Sequence, residues 1–149
     1  MSDYQLREVK QRITDNAKRY QLEQQAVTAL RGSLNRIMNE GLLSLTLINN
    51  ADAGCLIFEF IGKRYSFRHA FNPHVPFSRL YVVEVDEENV SVGPALVNRT
   101  IDADLAMGKL GGTPYTQLKT EESADRFFWE CLNEILTSFP KPEVSDAQD

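Results

Sequence analysis

The sequence predicts an α+β domain. A long N-terminal helix or helix pair leads into an antiparallel meander of five to six strands, and a C-terminal amphipathic helix closes it. Three observations point there. Residues 3–39 lack proline and carry apolar side chains at heptad spacing. Residues 55–71, CLIFEFIGKRYSFRHAF, alternate about a central glycine. Residues 120–139 are apolar at helical spacing behind a threonine cap.

The leading segment is rich in Gln, Arg, Leu, Ala and Glu, all good helix formers. Counting sevens from Leu6 gives Leu6, Ile13, Tyr20, Val27 and Leu34, with Val9, Asn16, Glu23, Leu30 and Ile37 three further on. Only Asn16 and Glu23 interrupt this stripe, and they predict a bend near 16–24 or two helices sharing the stretch. Gly41 is a C-terminal stop. Unbroken, 37 residues would run about 55 Å, more than one small sheet needs. The helix must fold back on its own sheet or send its first half off to pair with another chain.

Leu42–Ile48 reads as the first strand, with Leu43, Leu45 and Leu47 alternating. In the hairpin that follows, a turn at Gly62-Lys63 suits type II′ geometry. That register sets Phe60 opposite Tyr65, Phe58 opposite Phe67 and Leu56 opposite His69, one aromatic wall. Glu59, Ser66, Arg64 and Arg68 fall on the other face. Asn72-Pro73-His74-Val75-Pro76 is a rigid connection. Arg79–Asp86 is the next strand, Asp86–Asn89 a turn, and Val90–Gly93 a short returning strand. Residues 95–113 read as a short helix or an extended loop, and Tyr115–Lys119 as a last strand. Thr120 caps the final helix, with Glu121 and Glu122 suiting its dipole. Its inward set is Ala124, Phe127, Phe128, Cys131, Leu132, Ile135 and Phe139. Residues 1–142 form one domain, with 1–40 its helical segment, and 143–149 is expected as a disordered tail.

The net charge is −5 and the pI about 5.1, which argues against bulk nucleic-acid binding and against anionic membranes. Residues 1–40 contribute seven Lys/Arg and five Asp/Glu, and the remainder nine and sixteen, so a +2 segment leads a −7 body. Cys55 and Cys131 without a secretion signal read as packing thiols of a cytoplasmic protein. No run approaches a membrane span.

Little here carries chemistry. Cys55, His69 and His74 have no metal-ligand spacing, so neither a metal nor a cofactor is predicted. Gly108-Lys109 lacks the earlier glycine of a phosphate loop, where Ala103 stands, and the Ser or Thr after the lysine, where Leu110 stands. Asp102 and Asp104 read as solvated acids. No nucleophile elbow occurs. Arg64, Arg68 and Arg79 can share one sheet face and grip an acidic partner, although pairing with Glu59 and Glu84 is the simpler role. Trp129 and Leu136 widen the apolar arc of the last helix into a candidate partner surface, unless loop 95–113 or the first helix covers them.

The ending YTQLKTEESADRFFWECL, a strand running into an acid-capped helix with a tryptophan, resembles the end of pleckstrin-homology-like domains. The long leading helix departs from that pattern. Secretion chaperones share the size, acidity and α+β build. The sequence thus leads to a non-enzymatic protein-binding module, a small acidic adaptor, chaperone or inhibitor, homodimeric through its N-terminal helix. The alternative is a small-ligand binder or enzyme with a site in residues 95–113 near His69 and Arg99.

Overall fold

Ser2 and Gln5 form a capping box, the Ser2 hydroxyl accepting from the Gln5 amide and the Gln5 side chain from the Ser2 amide. From it a single helix, α1 (Asp3–Asn39), runs without a break in the computed structural model and stops at Gly41, whose φ of +95° suits only glycine. The structure describes residues 1–41, 45–49, 55–102, 106–109, 114–118 and 120–142, and only the backbone of 49, 106–109 and 114–117. The expected bend is absent because Glu23 does not fail the stripe. It is fully buried, and a histidine in the sheet meets it.

Among the described residues seven strands follow: β1 (Leu45–Asn49), β2 (Cys55–Phe60), β3 (Lys63–Ala70), β4 (Phe77–Val85), β5 (Val97–Asp102), β6 (Ala106–Lys109) and β7 (Pro114–Gln117). They pair in chain order, every pair antiparallel, which is the predicted meander with more strands than the five or six expected. α2 (Glu121–Thr137) closes the fold, its Thr120 cap accepting from the Ser123 amide.

Two strand assignments change. Val90–Gly93 makes only an isolated bridge, Ser91 to Val85, and the true partner of β4 is β5. β5 alternates Val97, Arg99 and Ile101 inward, and an arginine at an inward position hides the strand pattern. Of the expected strand Leu42–Ile48, residues 42–44 lie outside the described residues, as do residues 50–54 and the expected tail 143–149.

The hairpin turn sits one residue earlier than expected, at Ile61-Gly62, with φ of +50° and +78°. Both values are positive, as a type I′ turn requires. Phe58 therefore faces Tyr65 and Leu56 faces Phe67. The wall survives, because each partner shifts by two residues and so keeps its face. Ile61 is exposed, and a β-branched residue is strained at positive φ. Ile61→Asn is expected to stabilise the protein by about 1 kcal/mol in urea denaturation. No gain, or a loss, would mean the turn does not hold this conformation.

Both helices roof one face. Phe58 packs on Phe128 with ring centroids 5.6 Å apart, and Phe67 meets Phe127 edge-on at 6.2 Å. Ala26, Leu30, Leu34 and Ile37 of α1 join Ala124, Cys131, Leu132 and Ile135 of α2 over Leu56, Leu80, Val82 and Ile101. Burial pushes the Cys131 thiol up, and it pushes the Tyr65 phenol up to about 12 with help from Glu84.

Arg36 near the end of α1 fastens the helices together. Its Nη2 donates to Asp125 Oδ1 at 2.6 Å and its Nε to Oδ2 at 3.1 Å. The Arg36 hydrogen bond holds the Asp125 carboxyl below the usual carboxylate range. A lowered carboxyl stabilises the fold at pH values above its unfolded pKa of about 3.9 and ceases to as pH falls through the folded value. The pair is partly solvated, so Asp125→Asn is expected to cost no more than about 1 kcal/mol at pH 7. That difference from the parent should vanish in acid. A gap in urea midpoint that persists below about pH 3 would contradict it.

Candidate partner-binding surfaces

The heptad stripe of α1 has two fates. At successive positions Leu6, Ile13, Tyr20, Val27 and Leu34, exposure runs 42%, 62%, 39%, 3% and 0%. From Glu23 onward the stripe is buried under the sheet and α2. Before Arg19 no hydrogen bond or ion pair joins α1 to the rest of the described residues, and residues 3–18 alone run about 24 Å. The first half keeps its amphipathic spacing and loses its cover, so Leu6 and Ile13 lie in solvent with Val9 half-buried between them.

A polar clamp holds the helix where it departs. Glu23 Oε1 accepts from His69 Nε2 at 2.7 Å, and the other ring nitrogen of His69 accepts from Gln24 Nε2 at 2.9 Å. Arg19 Nε lies 3.1 Å from Glu23 Oε2, a charge contact off hydrogen-bond alignment. Its Nη1 and Nη2 donate to the carbonyls of Val75 and Asn72. The Arg19 guanidinium lies 4.5 Å from the Phe71 ring centroid, and Tyr20 meets that ring edge-on. The proline-flanked connection 72–76 thus serves as the seat for α1. Both ring nitrogens of His69 are thus engaged, and its side chain is only 1% exposed.

Trp129 and Leu136 are not covered, contrary to the simpler expectation. On the outer flank of α2 they are 43% and 44% exposed. Phe127 and Phe128, immediately before Trp129, are fully buried.

Arg64, Arg68 and Arg79 share the face of the sheet away from the helices. The register sets Arg68 opposite Tyr81, with Arg79 two residues from Tyr81 on the same face. Their donors are taken up by neighbours in the same chain. Arg64 Nη1 reaches the Glu87 carbonyl at 3.1 Å, and Arg68 donates to the Asn89 carbonyl at 3.1 Å and to Ser66 Oγ at 3.0 Å. Arg79 Nε donates to Asn98 Oδ1 at 2.9 Å and its guanidinium stacks over Tyr81 at 4.3 Å. Glu59 pairs with Arg64 at 3.7 Å as expected, whereas Glu84 pairs with Lys63. Arg64 and Arg68 therefore tie down the turn after β4.

Among the described residues, His69 and Arg99 turn away from each other. Both flank Leu80 in a single row across β3, β4 and β5, and they turn to different helices. His69 bonds Glu23 of α1, while Arg99 is ion-paired to Glu134 of α2 above the Phe127 ring. Of residues 95–113, positions 103–105 and 110–113, which include Asp104, lie outside the described residues. Cys55 pairs with Arg68 on the outer face, so it and His69 are on opposite sides of the sheet and cannot share a metal. Among the described residues, no three of His, Cys, Asp and Glu gather as a metal ion requires. Among them too, no helix is long and apolar enough to cross a membrane.

These features define a class by build alone: an antiparallel meander roofed on one face by its first and last elements, with the first half of the first helix exposed. No family model, no curated protein and no solved structure matches the chain.

Sequence reasoning did not single out Leu6 and Ile13 as contact residues. The signal was the length of the stripe, about 55 Å against a domain of this size. It missed the pairing of Glu23 with His69 altogether, because the partners are 46 residues apart.

Proposed function

We propose that this chain is a non-enzymatic protein-binding module that engages its partner through the free half of α1. The observation that carries the reading is the exposure of Leu6 and Ile13, one heptad apart with half-buried Val9 between them, on a helix whose later turns are anchored. An apolar helix face held out by a rigid body matches the helix-in-groove mode of recognition, with anchors at heptad spacing. Holding the helix in place beforehand lowers the ordering cost of association. The exposed Trp129 and Leu136 supply a second contact on α2.

Leu6→Asp combined with Ile13→Asp tests this. Both sites are exposed, so the thermal midpoint should move by no more than about 2 °C. Proteins that co-purify with the tagged chain from its native cells, and any self-association seen by light scattering, should be lost. A variant that retains them refutes the reading.

A further inference from the structure

The residues beside the free stripe say what kind of partner fits it. With Leu6 and Ile13 as the a positions and Val9 and Asn16 as d, the flanking e and g positions are Asp3, Lys10 and Ala17 on one side and Gln5, Arg12 and Arg19 on the other. Arg19 is already committed to Glu23 and to two carbonyls of the 72–76 connection. The charges left beside the middle of the stripe are Lys10 and Arg12, both basic.

A second copy of the same helix answers these charges badly. In a parallel pair, each g position meets the e position five residues on in the other chain. That sets Gln5 against Lys10 and Arg12 against Ala17, with no opposite charges. In an antiparallel pair that stacks Val9 on Ile13, Lys10 faces Lys10 and Arg12 faces Arg12 across the dyad. Like charges placed so are repulsive.

An anionic bilayer answers them no better. Residues 3–18 hold four bases, Arg7, Lys10, Arg12 and Lys18, and three acids, Asp3, Glu8 and Asp15. The apolar stripe has the width of a coiled-coil seam, whereas surface-bound helices carry a broad apolar face and a strongly basic one.

We infer that the free half of α1 pairs with an amphipathic helix of another protein whose apolar seam is bordered by acidic residues, and not with α1 of a second copy. This rests on the free half being a protein contact. Glu or Asp beside the partner's seam would meet Lys10 and Arg12 at the rim of the interface, setting register and excluding self-pairing.

The test uses the full chain and two synthetic helical peptides of about three heptads, alike in their Leu/Ile seam, one with Glu and the other with Lys at every flanking position. The chain should stay monomeric in light scattering. The Glu peptide should bind on the order of tenfold more tightly than the Lys peptide, and added salt should narrow the gap. The preference should reverse in Lys10→Glu with Arg12→Glu. Self-association that Leu6→Asp with Ile13→Asp abolishes would overturn the inference and leave the protein-binding reading standing, as would a peptide preference indifferent to the Lys10 and Arg12 reversal. If a monomeric chain ignores both peptides, whether or not it binds phosphatidylserine vesicles, the inference and the reading fall together.

Discussion

Glu23→Ala is expected to lower stability by about 3–5 kcal/mol, although the change removes one surface-type residue from a helix. Glu23 is fully buried, and its carboxylate is the acceptor for His69 Nε2 and the counter-charge of Arg19. Alanine would leave a buried imidazole N–H without an acceptor and a guanidinium without its anion. The cost comes from those stranded groups more than from the lost attraction. Removing both ends should therefore cost less than removing one. Glu23→Leu with His69→Leu should recover the part of the loss due to the imidazole, since its N–H goes together with its acceptor, while Arg19 and Gln24 Nε2 still each lose a partner. Urea denaturation of the single and double variants measures this. A single-variant cost below about 1 kcal/mol, or a double variant no better than the single, would show that the clamp is not the anchor of α1.

Phe128→Ala is expected to cost a similar amount, about 3–5 kcal/mol, whereas Trp129→Ala one residue later should cost less than about 1 kcal/mol. Ranked by side-chain size the order would be opposite. Burial decides it: Phe128 is enclosed against Phe58 beneath the roof, while Trp129 stands on the solvent flank. A Phe58→Ala and Phe128→Ala cycle should show a coupling of about 0.5–1.5 kcal/mol, as for ring pairs in contact. Equal costs for Phe128 and Trp129 would mean that α2 is rotated from the orientation described.

Local chemistry made part of this fold readable in advance. The Thr120 cap, the inward stripe of α2 and the aromatic wall of Phe58, Phe60, Tyr65 and Phe67 follow from short-range rules, and those rules held. The turn was misplaced because isoleucine at positive φ breaks the usual turn chemistry; the wall survived because side-chain alternation tolerates a two-residue slip. β5 was obscured by Arg99, whose inward position makes sense only with Glu134 of α2, 35 residues on. Asn16 and Glu23 looked alike as flaws in one stripe. Asn16 merely bonds the Arg12 carbonyl within the helix, while Glu23 meets His69 across the fold. What pattern alone conveyed was where apolar surface must be hidden. It could not convey which polar residues had found partners far along the chain.

The strictly sequential order of the sheet has a consequence for assembly. Each ladder joins neighbours in the chain, so closing it confines only short loops and loses little chain entropy. The two helices are the opposite case. Joining Arg36 to Asp125 brings together residues 89 apart, a closure whose length-dependent part would be about 4 kcal/mol across a flexible chain and is less once the sheet between them has formed. The sheet can zip up piecemeal, and the two ends of the chain then meet over it at a joint whose latch is a solvent-touched ion pair that acid unfastens.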